Sequence, residues 1–223
     1  MIQGAIFDLD GTLVDSMRIW DHVLTDYLSA RGLSWTTELL QQIATMGLME
    51  SADCVRRAYE LPYAAEEIVA QWEQSVQHIY AEQVEPKPGA VALVRALREA
   101  DVPCCIATSN FRASTEAALR HIGVEQAFSR IFTADEVGGN KSRPDIYLAA
   151  AEFLGVQPGQ CLVVEDMLEA VQTAKRAGFV TCAAYDATSS RGVEDELRAA
   201  ADYFVTDLTE LLQYHLLPGQ AKG

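Results

Sequence analysis

From residue 87 onward, short apolar runs alternate with stretches of helical periodicity, and this alternation limits the fold more than any other feature of the chain. Apolar runs lie at about 103–107, 131–133, 161–164, 180–183 and 203–205. Helical spacing fills the gaps at about 91–100, 112–121, 146–154, the approach to Gly178, and 193–200, with a final helix expected from Leu208. Strands that are apolar throughout are buried on both faces. Ala5-Ile6-Phe7 adds one more such run near the start. Strand and helix in alternation imply an α/β fold, a doubly wound parallel sheet with helices on both faces.

Residues 16–86 follow another pattern. Trp20, Val23, Leu24, Tyr27 and Leu28 recur on one helical face, with Asp15 or Ser16 expected as the cap and Gly32 as the end. Two shorter helices are expected at about 37–44 and 51–60. A longer one is expected at 65–83, with Ile68, Trp72, Val76, Ile79 and Tyr80 on one stripe. Pro86-Lys87-Pro88-Gly89 then interrupts the chain. The division expected is therefore an α/β core of 1–15 and 87–223 with an all-helical insert, 16–86, over the sheet's carboxyl edge, where such sheets bind ligands. All three tryptophans, Trp20, Trp35 and Trp72, fall in the insert, and most of them are expected to pack it, with Trp20 nearest the cleft. Gly47, between insert helices, either faces that cleft or forms an ordinary turn.

Across 223 residues, 32 acidic against 17 basic side chains give a formal net charge of −15. That balance argues against a nucleic-acid or anionic-membrane partner, and it makes any anionic substrate depend on local cations. No run approaches the roughly 18 apolar residues of a membrane span. The opening residues pass straight into Ile6-Phe7-Asp8, so no signal peptide is expected. Five cysteines, an odd number without Cys-x-x-Cys spacing, point to buried reduced thiols rather than zinc or a disulfide scaffold. A cytoplasmic protein, monomeric or weakly self-associating, is the expectation. The histidines show no ligand spacing, and neither a Gly-x-Ser-x-Gly elbow nor a Walker loop is present.

Chemistry concentrates where strands end. In Asp8-Leu9-Asp10-Gly11, two carboxylates two residues apart would project together from an extended chain. Their repulsion calls for a cation, a shared proton, or both. Alone, the stretch reads equally well as a turn with solvated carboxylates. An EF-hand is excluded because Thr12-Leu13-Val14 breaks its run of oxygen ligands. Thr108, Lys141 and Glu165-Asp166 follow at or just beyond later strand ends.

This ordered set resembles the haloacid dehalogenase-like (HAD) superfamily of phosphohydrolases and phosphomutases over nearly the whole chain. Asp8 to Ser16 is similar to its first motif, Ala107-Thr108-Ser109-Asn110 to its second, Lys141 to Tyr147 to its third, and Val164-Glu165-Asp166 to its fourth. The branch it most resembles contains β-phosphoglucomutase, 2-deoxyglucose-6-phosphatase and pseudouridine-5'-phosphatase. Ser142, Met167 and Ala170 depart from that branch's pattern. Glu50 stands where the phosphoglucomutase has an arginine gripping a distal phosphate.

The resemblance implies a Rossmann-like core with a helical cap and a magnesium-dependent phosphatase acting on a small phosphorylated metabolite. Asp8 would be the nucleophile that forms an aspartyl-phosphate, and Asp10 the acid and then the base. Thr108 and Lys141 would complete the catalytic set. Mg²⁺ would take an Asp8 oxygen, the Asp10 backbone carbonyl and Asp166, with Glu165 orienting a metal-bound water. Ser109, Asn110, Arg112, Trp20 and Gly47 would contact phosphate or substrate. A phosphomutase is the alternative within the family, with Glu50 against it. A phospho-acceptor signalling module and a catalytically inactive binding protein are the alternatives from other classes.

Overall fold

The computed structural model of the protein describes residues 1–43, 46–138 and 140–217. Its centre is a parallel sheet of six strands: β1 (Gly4–Phe7), β4 (Cys104–Thr108), β5 (Phe128–Thr133), β6 (Cys161–Glu165), β7 (Val180–Ala184) and β8 (Tyr203–Val205). The spatial order is β5-β4-β1-β6-β7-β8, all neighbours parallel. β1 therefore lies between β4 and β6, with Phe7 beside Ile106 on one flank and Val164 on the other.

Period-two alternation distributes each strand's side chains to two faces. Ala5, Phe7, Ile106, Leu162 and Val164 join the cluster built by α5 (Ala90–Glu99), α6 (Arg112–His121) and a C-terminal 3-10 helix, Leu208–Tyr214. Ile6, Cys105, Ala107 and Val163 turn the other way, onto α7 (Asp145–Leu154) and α8 (Leu168–Arg176). A last helix, α9 (Glu194–Ala200), covers Ala183 through Leu197. The doubly wound α/β architecture expected from the sequence is the one found.

Two details differ. The final element is 3-10 rather than α-helical. Its buried Leu208 and Leu211 stand three residues apart, the 3-10 period, and Asp207 caps it by accepting from Thr209 N–H at 2.8 Å. Trp35 is not packed: it is 44% exposed, whereas Trp72 is buried edge-to-face against Tyr27 at 5.9 Å.

Between β2 (Val14–Asp15) and β3 (Glu85–Pro86) the described chain is helical: α1 (Met17–Ser29), α2 (Thr37–Ile43), α3 (Leu48–Ala58) and α4 (Ala65–Glu82). The expected end of α2 at residue 44 lies outside the described residues. β2 and β3 pair antiparallel, Val14 with Pro86 and Asp15 with Glu85, and Lys87 N–H continues the ladder to Leu13 C=O at 2.9 Å. The two chain crossings into the insert are thus tied together. Insert and sheet also share one apolar cluster, running from Phe7 and Leu9 through Val84 to Val76, Trp72 and Leu28.

Cys104, Cys105, Cys161 and Cys182 sit buried in strands as free thiols, and burial pushes the first three up to about 12. Among the described residues no helix is long and apolar enough to cross a membrane.

Candidate active site

Three adjacent parallel strands deliver their ends to one place. β1 presents Asp8, β4 ends in Thr108, and β6 ends in Glu165 followed by Asp166. Asp8 N–H still donates to Val164 C=O at 3.0 Å, which holds its side chain at the sheet edge. Lys141 arrives from the loop after β5, ahead of α7. Its ammonium donates to Asp8 Oδ1 and, at 2.7 Å, to Glu165 Oε1. Tyr147, two positions into α7, donates its hydroxyl to the same Glu165 oxygen at 2.7 Å.

Ligand atoms of Asp8, Glu165 and Asp166 lie within 4.8 Å of one another, and all three residues are buried. Three carboxylates face one ammonium, an excess of two negative charges whenever all three are ionised, in a site from which water is largely excluded. Burial pushes the Asp166 carboxyl up to about 7, with the neighbouring Glu165 charge adding to it. Asp8 is likewise raised well above its ordinary value by burial, against the opposing pull of Lys141. Burial works against the Lys141 ammonium, but Asp8 and Glu165 outweigh it and hold its pKa above normal. Among the described residues, Asp166 Oδ2 is buried with no hydrogen-bond partner. An orphaned carboxylate oxygen in an all-oxygen trio short of two positive charges fits a divalent cation. Gly11, at φ +76°, lets the backbone pass against Asp166; a Cβ there would run into its carboxylate.

Asp10 has a different set of neighbours. It is not part of a continuous strand, since β1 ends at Phe7 and Asp10 forms only an isolated bridge with Val14. Both aspartates lie just past the end of β1 rather than within a strand, close enough for the Asp10 charge to act on Asp8, and they take different partners. Asp10 Oδ2 accepts from Asn110 Nδ2 at 2.8 Å, while Oδ1 accepts from the hydroxyls of Ser16 and Tyr80. Ser16, expected to cap α1, stands at the N-cap position but makes no side-chain cap bond, because its hydroxyl goes to Asp10 instead.

The remaining sequence candidates divide. Thr108 is fully buried and its Oγ1 accepts from Asn110 N–H at 3.0 Å, leaving its hydroxyl proton free to donate. Asn110 spends both ends of its amide on protein, on Asp10 and on Phe111 N–H at 2.7 Å, rather than presenting them to a ligand. Ser109 is exposed at the end of β4. Arg112 turns its guanidinium to Glu136, at 2.8 and 2.7 Å, and to Ile131 C=O, so it is engaged beside β5 and not with the carboxylate cluster. Gly47 is the N-cap residue of α3, and among the described residues nothing lies within 4 Å of where a Cβ would be. Trp20 reaches Asp10 through one intermediary: its indole N–H donates to Tyr80 OH at 2.9 Å, and its ring packs on Phe111 at 6.2 Å.

Tyr80, Tyr147 and Ser16 were missed as site residues. The available signal was their hydroxyls: a buried phenol must find a partner, and Tyr80 and Tyr147 both sit on otherwise apolar helix stripes.

Comparison with known proteins places the chain by family and fold. Residues 2–178 match the family model described as haloacid dehalogenase-like hydrolase. Hexitol phosphatase A of Escherichia coli (strain K12) is 32% identical over 179 residues, covering 79% of this chain and 80% of that protein. A bifunctional riboflavin kinase/FMN phosphatase of Arabidopsis thaliana is 30% identical over 92% of this chain, and the match covers 53% of its own length, so this chain spans about half of that relative. Among solved structures, CbbY from Rhodobacter sphaeroides, determined in complex with phosphate, superposes with a TM-score of 0.82 over 95% of this chain and 96% of that one, at 24% identity. That likeness establishes the fold.

Proposed function

The chain belongs to the haloacid dehalogenase-like hydrolase family, and from that premise we propose that it is a magnesium-dependent phosphatase of a small phosphorylated metabolite, with a sugar or polyol phosphate as the substrate class. The observation that carries the reading is the contrast between the partners of two carboxylates only two residues apart. Asp8 is gripped by Lys141 inside the acidic trio, while Asp10 is held by three neutral donors.

In this reading Asp8 attacks phosphorus in line, forming an Asp8–phosphorus bond as the ester oxygen leaves. Asp10 gives that oxygen a proton. Asp10 then takes a proton from a water that attacks the aspartyl-phosphate, releasing inorganic phosphate and restoring both carboxylates. Lys141 offsets charge on Asp8 and the phosphoryl group, while Thr108 Oγ–H and the first N–H groups of α6 receive phosphoryl oxygens. Asp8 and Asp166 would hold Mg²⁺, with the Asp10 carbonyl and Glu165 in support. The ion would supply charge for the phosphoryl oxygens and keep the trio ionised.

A phosphatase is favoured over a mutase because a mutase must grip a second phosphate in the insert. Arg56 and Arg57 on α3 are both paired with Asp53. A cytoplasmic site of action and a monomeric or weakly associating chain fit the same reading. The test is a phosphate-release screen over phosphorylated metabolites. Release should require Mg²⁺, vanish with chelator, and vanish in Asp8→Asn; release that survives both treatments would refute the proposal.

A further inference from the structure

Two of the three donors on Asp10 come from the insert and its root, and one of them, Tyr80, is fully buried on α4. The direction of its hydrogen bonds is fixed by chemistry. Trp20 Nε1 can only donate, so Tyr80 oxygen accepts from it at 2.9 Å. The single phenol proton is then committed to Asp10 Oδ1. The Trp20 ring, in turn, is wedged between Tyr80 at 6.5 Å and Phe111 at 6.2 Å. Since Phe111 is the N-cap residue of α6, the aromatic stack ties the insert to the short loop that carries Asn110 on from Thr108 at the end of β4.

We propose that Tyr80, backed by Trp20, is the positioning residue through which the insert orients the acid–base carboxylate of Asp10. The proposal rests on the phosphatase reading above. Tyr80 touches neither substrate nor metal in this scheme; with Ser16 on the same oxygen and Asn110 on the other, it is the insert's own donor in fixing the plane of that carboxylate. A misaligned general acid costs most when the leaving oxygen is strongly basic, as in an alkyl phosphate. It costs least when the leaving group is a nitrophenolate, which departs without a proton.

The experiment compares kcat/KM of the wild type, Tyr80→Phe and Trp20→Phe on p-nitrophenyl phosphate and on one alkyl phosphomonoester that the wild type hydrolyses. Tyr80→Phe keeps the ring in its buried slot and removes only the hydroxyl. It should lose about 10- to 100-fold on the alkyl ester and less than about 3-fold on the nitrophenyl ester. Trp20→Phe should shift the same ratio in the same direction by a smaller factor. Equal losses on both esters in the two variants, or no loss on either, would overturn the proposal, because a packing defect does not distinguish leaving groups. A wild type that hydrolyses neither ester would overturn the phosphatase reading, and the role of Tyr80 with it.

Discussion

At the scale of single residues, the site is dominated by an excess of buried negative charge. Lys141 is its one described ammonium, with a side chain only 12% exposed. Lys141→Met should abolish turnover and, in chelator near neutral pH, destabilise the fold by about 3 kcal/mol, since it leaves carboxylates buried without their partner. Equilibrium denaturation with and without Mg²⁺ checks this, with the ion recovering part of the loss. The same charge excess sets a pH dependence. Asp166 has its folded-state pKa raised to about 7, above the unfolded value near 3.8. Its contribution to stability is therefore fully present below the unfolded value and is lost as pH rises through about 7. In chelator, urea midpoints should fall over that window, and saturating Mg²⁺ should flatten the slope.

Most of this cluster was legible, because Asp8, Glu165 and Asp166 stand at or beside recognisable strand ends and Lys141 lies in a recognisable motif, although the structure sets it in the loop well beyond β5. The partners of Asp10 were not. Ser16 looked like a helix cap and Tyr80 like one more apolar-stripe residue, and only the folded chain brings positions 10, 16, 80 and 110 together. Local patterns carry no such distance information.

At the scale of elements, the decisive contacts are those that close the insert onto the sheet. Every sheet strand was visible as an apolar run, and the helices were visible by period, with boundaries shifted by a few residues. The ladder of β2 and β3 was not visible, since two-residue strands leave no periodic trace. Immediately after it, Gly89 holds φ +75° where a Cβ would collide with the backbone N–H groups of Leu208 and Thr209. Gly89→Ala should cost roughly 2–4 kcal/mol, combining left-handed strain with overpacking of a rigid neighbour. Thermal and urea unfolding would measure it; a neutral substitution would mean that the C-terminal 3-10 helix yields easily.

At the scale of the whole molecule, the −15 charge repels the anionic substrates proposed for it, and the attraction is confined to a cation set deep at the sheet edge. Added salt should then help capture. kcat/KM for a phosphomonoester should rise by about 2- to 5-fold as ionic strength goes from roughly 20 to 150 mM, provided that the salt anion does not compete. A fall over that range would show that local attraction outweighs the global field.

The apolar cluster that runs unbroken from Phe7 beneath the sheet edge to Trp72 in the insert has a consequence for heredity as well as for heat. A helical segment sharing its interior with the sheet should not exchange for another family member's as a cassette, since graft and host would each expose half of a seam cut to a different shape.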